Sequence, residues 1–81
     1  MTTDVIESGF YLIFIQESLS STNRSKPSFA IAYINGDSMW INLQKSTDSN
    51  ISNMTYSNNK IVITLSSSRY LTVSIFNMLI N

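Results

Sequence analysis

The sequence predicts an all-β fold, a single small antiparallel meander of five or six strands arranged as a barrel or sandwich. Three observations carry this expectation. Strand-forming residues recur in short runs separated by clusters rich in Ser and Asn, the pattern of a chain that turns often and pairs with itself. Asn35-Gly36 sits between two apolar runs, the strongest short-range hairpin signal a sequence offers, because both residues tolerate positive φ. Within the runs, large side chains alternate with the period of two that a strand requires.

Each element follows in turn. Residues 3–8, Thr-Asp-Val-Ile-Glu-Ser, suit either a helical turn capped by Thr3 and stopped by Gly9, or an extension of the first strand. A short helical turn at either terminus is therefore an alternative. Phe10–Glu17 is the first strand. Ser18–Pro27 is a loop, and Pro27, which has no N–H to offer a ladder, suits its junction with the next strand. Ser28–Ile34 and Ser38–Gln44 flank Asn35-Gly36, expected here as the two central residues of a type I′ turn. That register sets Ile31 opposite Trp40 and Tyr33 opposite Ser38.

After the Lys45–Asn50 loop, a weaker strand at Ile51–Tyr56 leads through Ser57-Asn58-Asn59 into Lys60–Leu65. Ser67-Ser68-Arg69 then turns the chain into Tyr70–Phe76. This last pair is expected to form a hairpin, with Ile61 opposite Ile75, Ile63 opposite Val73 and Leu65 opposite Leu71. The tail, Asn77–Asn81, suits continued strand or a turn of helix.

Three of these strands are apolar on both faces. In the first, Phe10, Leu12 and Phe14 share one face, while Tyr11, Ile13 and Ile15 share the other. In the next two, Ala30, Ala32, Ile34, Met39, Ile41 and Leu43 lie on one surface. Phe29, Ile31, Tyr33 and Trp40 lie on the opposite one. Such strands are expected to be covered twice, by barrel closure with the C-terminal tail or by another subunit. At 81 residues with no Cys, a single domain has a marginal core and no disulfide to support it. Oligomerisation is the remaining device, and the simplest expectation is a homodimer with one of these faces at its symmetry axis.

Composition narrows the function. Five Lys plus Arg balance five Asp plus Glu, and charged residues are only 12% of the chain. A nucleic-acid polymer is not an expected partner, because neutralising phosphates takes clustered cations. The longest apolar runs are too short to span a bilayer as a helix, so no membrane role is expected either. The start of the sequence lacks the basic region of a secretory signal, and a cytoplasmic location is expected. Solubility rests on Ser, Thr and Asn, a weakly self-repelling surface that tolerates association.

No constellation of catalytic residues stands out. With no His, the commonest general base and commonest metal ligand are both missing. The five acids, Asp4, Glu7, Glu17, Asp37 and Asp48, form no close motif, and the two glycines are too far apart for a phosphate loop. No enzyme activity, metal or cofactor is expected.

What remains is binding. Interface cores favour charge-poor surfaces bearing Tyr, Trp, Phe and Met, which makes Tyr33, Met39, Trp40 and Tyr56 the candidate protein-interface residues. The leading expectation is a non-catalytic binding protein, a small inhibitor or adaptor acting on a partner protein. Its composition is of a kind found among small accessory proteins of phages and mobile elements. A second expectation is a small-ligand binder that sequesters an anionic, nucleotide-like molecule. There Arg24 and Lys26 of one Ser-rich loop and Arg69 and Tyr70 of another would supply hydroxyls, cations and a ring. A third is a structural subunit of a larger assembly.

Overall fold

The computed structural model describes residues 1–3, 5–20 and 22–78. Asp4, Ser21 and the last three residues of the tail, 79–81, lie outside the described residues. Six strands follow one another: β1 (Gly9–Ser18), β2 (Ser28–Asn35), β3 (Ser38–Gln44), β4 (Ile51–Ser57), β5 (Lys60–Leu65) and β6 (Tyr70–Asn77). They form two antiparallel sheets, one of four strands in the order β3-β2-β1-β6 and one of two, β4-β5. The expected all-β antiparallel fold is therefore what the chain adopts, as a sandwich of two sheets.

The connectivity departs from a plain meander at two points: β4 leaves the sheet of β3 for the smaller one, and the chain crosses back after β5. β6 does not pair with β5; it crosses to the other sheet and pairs along β1, with Ile75 opposite Ile13 and Val73 opposite Ile15. β5 pairs with β4 instead, so Ile63 meets Met54. The expected β5–β6 hairpin is thus corrected, for a physical reason. β1 is ten residues long, and a neighbour on each edge gives partners to the N–H and C=O groups that point to both sides of it. β2 takes one edge and β6 the other.

The β2–β3 register is also corrected. Tyr33, not Ile31, lies opposite Trp40, and Asn35 lies opposite Ser38. The turn's central residues are Gly36 and Asp37, and Gly36 has φ of +61° while Asp37 has none of the positive φ found at Asn58 and Asn59. That is the sign pattern of a type II′ turn, with Gly first, rather than a type I′ turn over Asn35-Gly36. The shift amounts to two residues, so every side chain keeps its face. The true type I′ pattern occurs between β4 and β5, where Asn58 and Asn59 have φ of 53° and 61°.

No helical turn forms over the described part of residues 3–8. This segment runs along the open edge of β5 instead. Thr2 bridges Val62, Thr3 N–H donates to Ile61 C=O at 2.9 Å, and Ile63 N–H donates to Met1 C=O at 2.7 Å. The Thr3 hydroxyl then accepts from Ile61 N–H at 2.9 Å.

The core lies between the sheets. Ile13, Ile15 and Ile34 of the large sheet and Ile51, Ile61 and Ile63 of the small one are all fully buried. Ala30 and Ala32 stand between them on β2, also fully buried, their small size letting the layers approach. Met39, Ile41, Leu43, Leu71, Val73 and Ile75 close the margins. One acid enters this inner face. Glu17, at the end of β1, is 0% exposed, and its Oε1 accepts from Asn50 N–H at 2.7 Å.

Candidate functional site

The inner face of the four-stranded sheet is covered; its outer face is not. Along β1 this outer face carries Phe10, Leu12, Phe14 and Gln16, and along β2 it carries Phe29, Ile31, Tyr33 and Asn35. β3 adds Ser38, Trp40, Asn42 and Gln44, and β6 adds Tyr70, Thr72, Ser74 and Phe76. No charged residue occurs among them. Strand register arranges them in rows across the sheet. Trp40, Tyr33 and Phe10 form one row, and Asn42, Ile31, Leu12 and Phe76 the next. Gln44, Phe29, Phe14 and Ser74 form the third. Phe14 and Phe76 meet edge to face, ring centroids 5.9 Å apart at 78°.

These rings are largely in solvent. Trp40 is 58% exposed and Tyr33 46% exposed, and Phe10, Phe14, Phe29 and Phe76 are exposed as well. Four strands about 4.8 Å apart, each contributing about seven residues of rise, make a surface about 19 Å by 23 Å. That footprint, about 440 Å², is roughly half of what one partner contributes to a standard protein interface. A patch of this size is comparable to the largest on an ordinary monomer, and such patches often mark functional surfaces.

The four sequence-derived interface residues divide between two places. Tyr33, on interior strand β2, and Trp40, on edge strand β3, are cross-strand neighbours on the outer face. Met39, adjacent to Trp40 in sequence, points the opposite way and packs half-buried against the core. Tyr56, on β4 of the other sheet, is also half-buried against the core, its hydroxyl 3.4 Å from Ile6 C=O. These two are core residues and share no surface with Tyr33 and Trp40. Phe10, Phe14, Phe29 and Phe76 belong with Tyr33 and Trp40. The signal for them was strand parity, once Trp40 fixed which face was in question.

The second group, Arg24, Lys26, Arg69 and Tyr70, lies around one end of the sandwich. There the β1–β2, β3–β4 and β5–β6 connections converge. Asp48 is the hub. It accepts from Lys26 N–H at 3.3 Å and from the Ser46 hydroxyl at 2.9 Å, and its backbone C=O accepts from Arg69 Nη1 at 2.9 Å. The Ser46 hydrogen bond, supported by that from the Lys26 backbone, holds the Asp48 carboxyl below the usual aspartate range. Arg69 is turned inward, its Nη1 3.6 Å from buried Glu17 Oε1. Arg24 and Lys26 are exposed, and Tyr70 is the most exposed aromatic residue among those described. Arg69, the cation best placed for an anion, is already occupied by the protein's own carboxylate. Among the described residues no three His, Cys, Asp or Glu side chains group as metal ligands, and no helix is long and apolar enough to cross a membrane.

No family model matches this chain, and neither the curated proteins nor the solved structures include one similar to it.

Proposed function

We propose that this chain is a non-catalytic binding protein, a small inhibitor or adaptor, whose working surface is the outer face of the four-stranded sheet. One observation carries the reading. Seven exposed aromatic rings, Phe10, Phe14, Phe29, Tyr33, Trp40, Tyr70 and Phe76, share a face free of charge, and no described segment covers it. Aromatic residues at the centre and amide or hydroxyl groups at the margin match the anatomy of an interface core and rim. Asn42, Gln44 and Ser38 supply that margin on β3. The partner is a protein with a flat, apolar, charge-poor patch of its own, since a charged partner surface would be desolvated here without compensation. The anionic-ligand reading has less support, because Arg69 is held by Glu17 and Asp48.

A photo-crosslinking side chain placed at Phe14 is expected to capture one protein in stoichiometric amount from cells that make this chain. The same group at Thr55, exposed on the other sheet, is expected to capture none. Capture from Thr55 but not from Phe14 would refute the assignment of the face.

A further inference from the structure

A sheet also binds through its edges, and the four edges of this sandwich are not alike. The β5 edge is occupied by the N-terminal segment. The β4 edge carries a register irregularity between Ile51 and Asn53, a bulge of the kind that discourages further pairing. β3 lies beside β4. Among the described residues, Tyr70–Phe76 of β6 carries no bulge and pairs with β1 alone, and Met1, Thr3 and Ile6 of the N-terminal segment line a cleft beside Val73 and Ile75. β6 is eight residues long, with no Pro and no charge, reading Tyr-Leu-Thr-Val-Ser-Ile-Phe-Asn, and such an edge is a template for another strand.

The ladder determines which groups that edge presents. Met78 N–H donates to Phe10 C=O at 2.7 Å, and hydrogen-bonded pairs alternate along an antiparallel ladder. The even-numbered residues of β6 therefore bond to β1. Leu71, Val73 and Ile75 aim their N–H and C=O groups away from the sheet. Their side chains are only half-buried at the margin of the core.

The chemistry of β6 reads the same in both directions about Val73: aromatic, aliphatic, hydroxyl, Val73, hydroxyl, aliphatic, aromatic. We propose that β6 pairs antiparallel with β6 of a second copy about a two-fold axis at Val73, joining two four-stranded sheets into one of eight. In that register Leu71 meets Ile75 of the other copy, Thr72 meets Ser74, and Tyr70 meets Phe76. A two-fold interface must be self-complementary, and a strand whose chemistry reads the same in both directions meets that condition by setting like against like at every pair. β3 does not: about Ile41, Trp40 would face Asn42. With no charge in β6, no like charges are opposed across the axis.

The edge is about 27 Å long and removes on the order of 1,000 Å² of surface over both partners, near the threshold for a specific interface. The dimer is accordingly weak, with a dissociation constant on the order of 10–100 µM. A two-fold normal to the sheet leaves both outer faces on one side, so the dimer presents a doubled aromatic surface. This pairing stands apart from the function proposed for the outer face and leaves Trp40 exposed.

Sedimentation velocity at about ten times and about a tenth of that dissociation constant tests the pairing. The expected result is a concentration-dependent monomer–dimer equilibrium in which the Val73 and Ile75 amides become protected from hydrogen exchange. T72K/S74K sets Lys against Lys across the axis at two exposed positions and should leave a folded monomer. T72K/S74E sets Lys against Glu and should restore the dimer. A wild-type monomer across the range would overturn the proposal, as would a dimer indifferent to T72K/S74K. A dimer that buried Trp40 would overturn it too, and would place self-association on the outer face instead.

Discussion

Tyr33 and Trp40 stand directly opposite each other across the β2–β3 ladder, on the side of the sheet that faces away from the core. The register that brings them together comes from the turn, where Gly36 rather than Asn35 takes the first central position. Phe10 continues the row on β1. A lone exposed ring would need no explanation; seven on one uncharged face do.

The two faces of β1 should differ sharply in what they contribute to stability. Ile13 is fully buried, whereas Phe14, next in the chain, is exposed on the outer face and touches Phe76. Ile13→Ala is expected to cost about 3–4 kcal/mol through cavity formation, and Phe14→Ala about 1 kcal/mol through the lost ring contact. Urea denaturation of the two variants measures both, and equal losses would show that the outer face contributes to the fold of the isolated chain.

Gly36 is under a conformational demand with no steric one. Its φ is +61°, and a Cβ there would meet nothing within 4 Å. Gly36→Val should therefore cost about 1–2 kcal/mol from left-handed backbone strain alone. Gly36→Asn, which tolerates that region, should cost clearly less. Thermal melts that did not separate the two would contradict the turn geometry.

Glu17 and Arg69 form a pair whose carboxylate is wholly inside. Removing only the cation leaves that carboxylate without its counter-charge, so Arg69→Ala is expected to cost about 3 kcal/mol. The double variant Glu17→Gln/Arg69→Ala should be more stable than Arg69→Ala, because a neutral amide can be buried without a counter-ion and can still accept from Asn50 N–H. A double-mutant cycle by chemical denaturation provides the check; strict additivity would contradict the coupling.

Asp48 makes a pH prediction. The Ser46 hydroxyl hydrogen bond is the main cause of its lowered pKa, which lies below the ordinary value of 3.8. A group depressed on folding contributes stability that is present above its unfolded pKa and is lost as pH falls through its folded one. The Asp48 contribution is therefore intact at neutral pH and disappears only below the ordinary aspartate range. Ser46→Ala should raise the Asp48 midpoint toward 3.8 in a carboxyl NMR titration, and an unmoved midpoint would contradict the assigned cause.

Much of the fold was legible because strand faces are written with a period of two. Parity alone placed Ile13 and Ile15 on one side of β1, and Phe10 and Phe14 on the other. Register was less legible. A shift of two residues in the β2–β3 hairpin leaves every face unchanged, so the side-chain pattern could not distinguish Ile31 from Tyr33 as the partner of Trp40. The partner of β6 was hidden for a similar reason. Leu71, Val73 and Ile75 match the aliphatic residues of β5 and those of β1 equally well, and only the need of β1 for a second neighbour separates the two.

The candidate site was legible in part. Trp40 and Tyr33 were recognisable as interface-type residues, but residue type alone also selected Met39 and Tyr56, which parity and the opposite sheet direct to the core. Glu17 follows Ile13 and Ile15 on the inward parity of β1, yet an acid there reads as the solvated end of a strand. Only the folded chain brings Arg69 and the Asn50 amide to it.

The most direct measurement is radical footprinting of the aromatic side chains, with the purified protein compared with the same protein in an extract of cells that make it. Trp40 is the single Trp of the chain, which makes its labelling unambiguous. Tyr33 and Trp40 are expected to be strongly labelled in the purified protein and protected in the extract, with Tyr56 on the other sheet little changed. Tyr33 and Trp40 labelled equally in both states, while other residues became protected, would contradict the claim that the outer face is where this protein works.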